Sequence, residues 1–111
     1  MNFFTRLTGG GAIPAEEAYR RMREDKKAVV LDVRTPEEYK QVRIEGAKLI
    51  PVDELASRAP AELPDKEARI LIYCQSGARA GRAASILGNM GYTNAVSFGG
   101  IINWPYGTVR G

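Results

Sequence analysis

The 111-residue chain has no histidine and only one cysteine. A single thiol cannot form an intramolecular bridge, and without histidine the usual zinc ligand sets are absent. The missing histidine also removes the general base that works at neutral pH. A thioredoxin-like redox role needs a second cysteine for its resolving step, so that class is excluded. Charge of one sign is scarce as well: 16 basic and 13 acidic residues are mixed along the chain, for a formal charge of +3. There is no clustered basic face of the kind that grips nucleic acid, although a mild positive field slightly favours small anions. The opening MNFFTRLTGGG lacks the continuous apolar segment of a secretory signal, and nothing approaches a membrane span. The expected location is the cytoplasm, whose reducing conditions suit a free thiol. No internal repeat and no linker interrupts the chain.

What is present fits one soluble domain. Hydrophobic residues make up 44% of the sequence, and a chain of this length buries roughly 60–70% of its unfolded surface without help from disulfides or metal. Residues 1–11 read as a flexible amino-terminal segment and 12–111 as the domain. Ala15, Ala18, Tyr19 and Met22 follow helical spacing after Pro14. The run AVVLDV, 28 to 33, reads as a strand covered on both faces. It leads into a helix start marked by Thr35 as cap, Pro36 in the first turn and Glu38 closing a capping box. A short strand at 47–50 comes next, with Asp53 expected to cap a brief helix. ARILIYC, 68 to 74, is the strongest strand. It precedes a helix whose expected apolar stripe is Ala83, Ile86, Leu87 and Met90, ended by Gly91. NAVSF, 94 to 98, is the last strand. Strands alternating with helices over such lengths predict an α/β fold, a mostly parallel central sheet with helices on both faces.

In such sheets the ligand crevice lies beyond the carboxyl ends of the strands. Cys74 ends a strand, so the fold delivers the thiol to that edge. The following QSGAR turns the chain into a helix, and its small residues let successive backbone N–H groups converge as an anion cradle. The helix N-terminus adds about half a positive charge, and all of these features favour thiolate over thiol. An unpaired cysteine is more often a small buried hydrophobe than a nucleophile. A core cysteine, however, has no use for a Gln-Ser-Gly-Ala-Arg loop at the binding edge of a sheet, so the position points to a reactive thiol.

The same segments resemble single-domain rhodaneses, the thiosulfate sulfurtransferases. VLDVRTPEEY (30 to 39) is similar to that family's amino-terminal motif and IEGAKLIPVDEL (44 to 55) to its central segment. CQSGAR (74 to 79) is similar to its active-site loop and GGIINW (99 to 104) to its carboxyl-terminal motif. The resemblance spans about Ile13 to Trp104 and implies a three-layer rhodanese-like fold. It also implies a cycle in which Cys74 takes the outer sulfur of thiosulfate or a similar small anionic donor, holds it as a persulfide, and passes it to cyanide or a thiol, a protein thiol included. Gln75, Ser76, Gly77, Ala78 and Arg79 would form the substrate cradle, with Arg79 as charge partner of the donor. Asp32 and Arg34 would support the site, Asp32 through hydrogen bonds and an ion pair, since a carboxylate so close to the sheet must be paired. Trp104 and the Gly99–Gly100 pair are expected to serve packing and turning. No cofactor, metal, nucleic acid or membrane partner is implied. Many members carry a histidine where this chain has Arg43, which bears on local packing rather than on sulfur chemistry.

Two other functions compete. Some phosphatases share this fold and a thiolate cradle, but their signature places five residues between cysteine and arginine, whereas here the sixth residue after Cys74 is Ala80 and Arg79 is the fifth. Rhodanese-like folds also act as binding modules, usually with the cysteine replaced; this chain retains it. The closing NWPYGTVRG can pack on the domain or present Tyr106 and Arg110 to a partner, and composition leaves both open.

Overall fold

The structure, a computed structural model, describes residues 12–111; the segment 1–11, expected to be flexible, lies outside the described residues. Helix α1 (Ala15–Glu24) leads to β1 (Val29–Asp32) and α2 (Pro36–Gln41). Then come β2 (Lys48–Leu49), a 3-10 turn at Val52–Glu54 and α3 (Leu55–Glu62). The chain closes with β3 (Ile70–Cys74), α4 (Ala78–Asn89), β4 (Ala95–Gly100) and a 3-10 turn at Ile101–Asn103. The sheet order is β2-β1-β3-β4 and all three pairings are parallel.

All five residues of β3 are buried, as a central strand covered on both faces requires. Because side chains alternate across a strand, β3 feeds two cores. Ile70, Ile72 and Cys74 pack with Leu31, with Leu55 and Ala59 of α3, and with Ala80, Ala83, Ala84 and Leu87 of α4. Leu71 and Tyr73 point the other way, to Ala18 of α1, Phe98, Ile101 and Trp104. The result is three layers, with α3 and α4 on one face and α1 and α2 on the other.

Local chemistry sets the boundaries. The capping box at α2 forms as expected: the Thr35 backbone N–H donates to Glu38 Oε1 at 2.9 Å and the Glu38 N–H to Thr35 Oγ1 at 3.2 Å. Helix α4 ends in a Schellman motif: Gly91, at φ +98°, donates to the Gly88 carbonyl and Tyr92 to that of Leu87. One expectation needs correction. Asp53 caps nothing: it lies inside the 3-10 turn, whose geometry leaves its exposed carboxylate facing Arg82 at 3.4 Å. The expected stripe of α4 packs on the core, with Ala83 and Leu87 buried and Ile86 and Met90 partly covered, and Ala80 and Ala84 extend it. Alanines on that face bring the helix close to the sheet, and the larger side chains take the flank.

The carboxyl-terminal segment packs on the domain. Arg43 and Val109 exchange backbone hydrogen bonds, each 2.8 Å, and Tyr106 stacks on Tyr19 at 4.1 Å. The Arg43 guanidinium donates to the carbonyls of Tyr39 and Gly111 and lies over the Tyr39 ring. The arginine at the histidine position thus ties down the tail. Trp104 packs against Phe98 and donates its indole N–H to Gly107.

Candidate active site

Cys74 sits at the carboxyl end of β3, 1% exposed, with its side chain on the α4 face. Beyond it the chain must reverse direction into α4 within three residues, and Gly77 makes this possible with φ +122°, a value that side chains strain to adopt. Gly77 is the N-cap of α4 and offers no side-chain cap. The thiol supplies one instead. Cys74 Sγ accepts the backbone N–H of Gly77 at 3.0 Å and that of Ala80 at 3.3 Å. Ala80 is the third residue of the helix, the position whose N–H a serine or aspartate N-cap would bind. The sulfur therefore occupies the place of a capping oxygen at the positive end of a 12-residue helix. Among the described residues, the N–H groups of Ser76, Ala78 and Arg79 have no protein acceptor, as the first turn of a helix leaves them. Of the loop's N–H groups, those of Gly77 and Ala80 are the ones that reach the sulfur.

The loop is held from below by β4. A Cβ on Gly100 would lie 2.1 Å from the Gln75 carbonyl oxygen and 2.5 Å from Ser76 Cα, so no side chain fits there. The register slips between Ile72 and Cys74 to admit one extra residue on β4, and Gly99 accommodates it at φ +97°. The Gln75 carbonyl also accepts the Ile102 N–H. The glycine pair expected to turn the chain thus also sets how closely the loop after Cys74 approaches the sheet.

Two ion pairs tie the loop after Cys74 to neighbouring elements. Asp32 and Arg34 are almost fully buried and paired side-on, Nε to Oδ1 at 3.0 Å and Nη2 to Oδ2 at 2.8 Å. Burial works against the Arg34 charge, yet the Asp32 carboxylate raises its pKa on balance. The guanidinium also donates to the Val42 carbonyl at 2.6 Å and to Gln75 Oε1 at 3.3 Å. This pair joins the end of β1, the residue after α2 and the loop after Cys74. Gln75 is thereby turned toward Arg34, so its amide braces the loop.

Arg79, the expected charge partner of the donor anion, has a partner within the chain as well. It is paired bidentately with Glu38, at 2.8 and 3.0 Å, both side chains about one-third exposed. The Arg79 guanidinium, against some opposing burial and with help from the Thr35 N–H, holds the Glu38 carboxyl at about 2. Glu38 read as a helix cap only; its partner lies 41 residues away, beyond any local pattern. Ala80 was also missed as an N–H donor, though its place as third residue of the helix is the signal that finds it. Among the described residues no three His, Cys, Asp or Glu side chains are grouped to hold a metal, and no helix is long and apolar enough to cross a membrane.

Residues 14–104 match the Rhodanese-like domain family. The chain belongs to the rhodanese family. It is 38% identical over 81 residues to the thiosulfate sulfurtransferase PspE of Escherichia coli K12, covering 73% of this chain and 78% of that protein. It is 34% identical over 93 residues to a sulfurtransferase of Allochromatium vinosum, covering 83% and 85% of the two chains. A rhodanese with anions from E. coli superposes with a TM-score of 0.71 at 37% identity, covering 76% of this chain and 99% of that one. This rhodanese domain therefore has sulfurtransferases among its relatives, and its parallel sheet and helices follow their fold.

Proposed function

We propose that this protein is a thiosulfate sulfurtransferase that carries sulfur as a persulfide on Cys74. The observation that supports it best is the sulfur itself: Cys74 Sγ accepts two backbone N–H bonds at the start of α4. Such an environment favours an anion before and after loading.

In the first half-reaction the Cys74 thiolate attacks the outer sulfur of thiosulfate. A new S–S bond forms, the old one breaks, and its electron pair leaves with sulfite, so Cys-S⁻ and S–SO₃²⁻ become Cys-S-S⁻ and SO₃²⁻. Sulfite needs no proton to depart, which suits a chain without histidine. In the second half-reaction cyanide attacks the outer sulfur, giving thiocyanate and regenerating the thiolate; a small or protein thiol takes the same sulfur as a persulfide. The N–H groups of residues 75 to 80 hold the charge, and the unpaired N–H donors of Arg79 face the donor anion. Asp32 and Arg34 keep the loop in place. A loop with Arg79 as the fifth residue after Cys74 is one residue shorter than the phosphatase pattern and fits a sulfur atom better than a phosphoryl group. The proposed compartment is the cytoplasm, since a thiol that must be free at the start of each cycle persists best under reducing conditions.

Steady-state formation of thiocyanate from thiosulfate and cyanide tests the proposal. The wild type is expected to turn over, Cys74→Ser to be inactive, and Arg79→Ala to lose roughly 10- to 100-fold in kcat/KM for thiosulfate with an unchanged fold, the scale of one charge-assisted contact. A Cys74→Ser variant as active as the wild type would exclude the persulfide route.

A further inference from the structure

The two arginines at the loop after Cys74 are both ion-paired. Arg34 is locked to Asp32, and Arg79 is locked to Glu38 by two hydrogen bonds. We propose that Glu38 is a specificity-determining positioning residue that fixes the Arg79 guanidinium beside the loop and neutralises its charge, so that the site gains little from a second negative charge on the donor. This rests on the sulfurtransferase reading above. A guanidinium carries five N–H donors, and the pair with Glu38 uses one from each terminal nitrogen, leaving three to orient an anion. The capping box fixes the carboxylate in turn, through the Thr35 N–H and hydroxyl, so the orientation of Arg79 is set by the start of α2. A site with a free arginine would discriminate strongly in favour of a dianion such as thiosulfate. One with a neutral pair accepts singly charged sulfane donors, thiosulfonates of the form R–SO₂–S⁻, on more equal terms.

Thiosulfate and methanethiosulfonate make a matched pair of probes. Each gives its outer sulfur to the Cys74 thiolate as the S–S bond breaks, and the electron pair leaves on sulfite or methanesulfinate respectively. They differ by one unit of charge. Removing the Glu38 charge then acts once on the thiosulfonate and twice on thiosulfate. For a carboxylate across a wet surface the effect is roughly threefold per donor charge. Glu38→Gln keeps the side chain able to close the capping box and removes the charge.

The second-order rate constant for loading Cys74 is measured by quenched intact mass, with each donor, at low and high salt. In Glu38→Gln it is expected to rise about threefold for methanethiosulfonate and about tenfold for thiosulfate, and added salt reduces both gains. Thr35→Ala, which weakens the cap and keeps the Glu38 charge, is expected to leave the ratio between donors as in the wild type. A purely structural role for Glu38 would move both donors equally, and equal shifts, or none, overturn the proposal while leaving the sulfurtransferase reading intact. If Glu38→Gln does not fold, Arg79→Gln carries the test with the opposite sign: both donors lose the guanidinium contact, the exposed carboxylate slows thiosulfate about threefold more than methanethiosulfonate, and equal factors overturn it. Loading of the wild type by neither donor overturns the underlying reading, and this inference falls with it.

Discussion

Replacing Gly100 with alanine strains the site where its backbones approach most closely. The new Cβ would stand 2.1 Å from the Gln75 carbonyl oxygen, 2.5 Å from its carbon and 2.5 Å from Ser76 Cα. All three are backbone atoms, so no side chain can turn aside. Gly100 has φ −132°, which alanine adopts freely, and the cost is therefore steric alone. Relief needs a separation of about 1 Å between β4 and the loop after Cys74, and overpacking of this kind costs ~1–3 kcal/mol. For a domain of this size that is a fall in Tm of roughly 5–15 °C. The same shift moves the N–H groups of Gly77 and Ala80 away from Cys74 Sγ, now at 3.0 and 3.3 Å. Sulfur loading should then fall by at least ~10-fold even at temperatures where the variant is folded, since misplacement by about 1 Å is costly to catalysis. Thermal unfolding followed by circular dichroism, with loading followed by intact mass, gives both numbers. Gly81→Ala is the control: nothing lies within 4 Å of its Cβ, it sits inside α4, and it should gain ~0.5–1 kcal/mol. A Gly100→Ala protein with wild-type Tm and wild-type loading would refute the steric account of the loop.

Asp32→Ala leaves the buried Arg34 charge without its partner, and urea unfolding should register a loss of about 3–5 kcal/mol; a loss under ~1 kcal/mol would show that the guanidinium finds another partner. Tyr73→Phe removes the hydroxyl that accepts the Ile44 N–H at 3.0 Å in a buried site, so stability should fall ~1–3 kcal/mol with sulfur loading unchanged, and a matching loss of loading would place Tyr73 in the chemistry. The Glu38 carboxyl is held at about 2, below its ordinary 4.5, chiefly by Arg79. A lowered folded-state pKa stabilises above the ordinary value, and that contribution disappears as pH falls through about 2. The Tm difference between wild type and Glu38→Gln should therefore be full above pH 4.5 and shrink toward pH 2; a constant difference would contradict the pairing.

The sequence predicted those parts of the fold that depend on near neighbours. The β-branched runs around Val30 and Ile72 lie in strands because both faces are covered, and Thr35, Glu38 and Gly91 mark helix ends through hydrogen bonds spanning three to five residues. Strand limits drifted by one or two residues where pairing, not composition, decides them. Asp53 failed as a cap because the turn after Pro51 is 3-10 and its side chain stays outside. The stripe of α4 was legible at Ala83, Ile86, Leu87 and Met90, while close helix-to-sheet contact adds Ala80 and Ala84, which periodicity of large apolar residues does not mark. At the site, Cys74 and Gly77 could be placed from the strand, loop and helix around them. The Arg79–Glu38 pair and the Gly100 contact with Gln75 could not, since each joins residues that only the folded sheet brings together. The tail was equally open until Arg43 and Val109 paired.

Intact mass of the purified protein, first after thiosulfate and then after cyanide, with Cys74→Ser alongside, tests the persulfide cycle most directly. The account predicts a gain of one sulfur on the wild type, lost on adding cyanide and absent from the variant. No gain on the wild type in the absence of reducing agent, or an equal gain on Cys74→Ser, would contradict it.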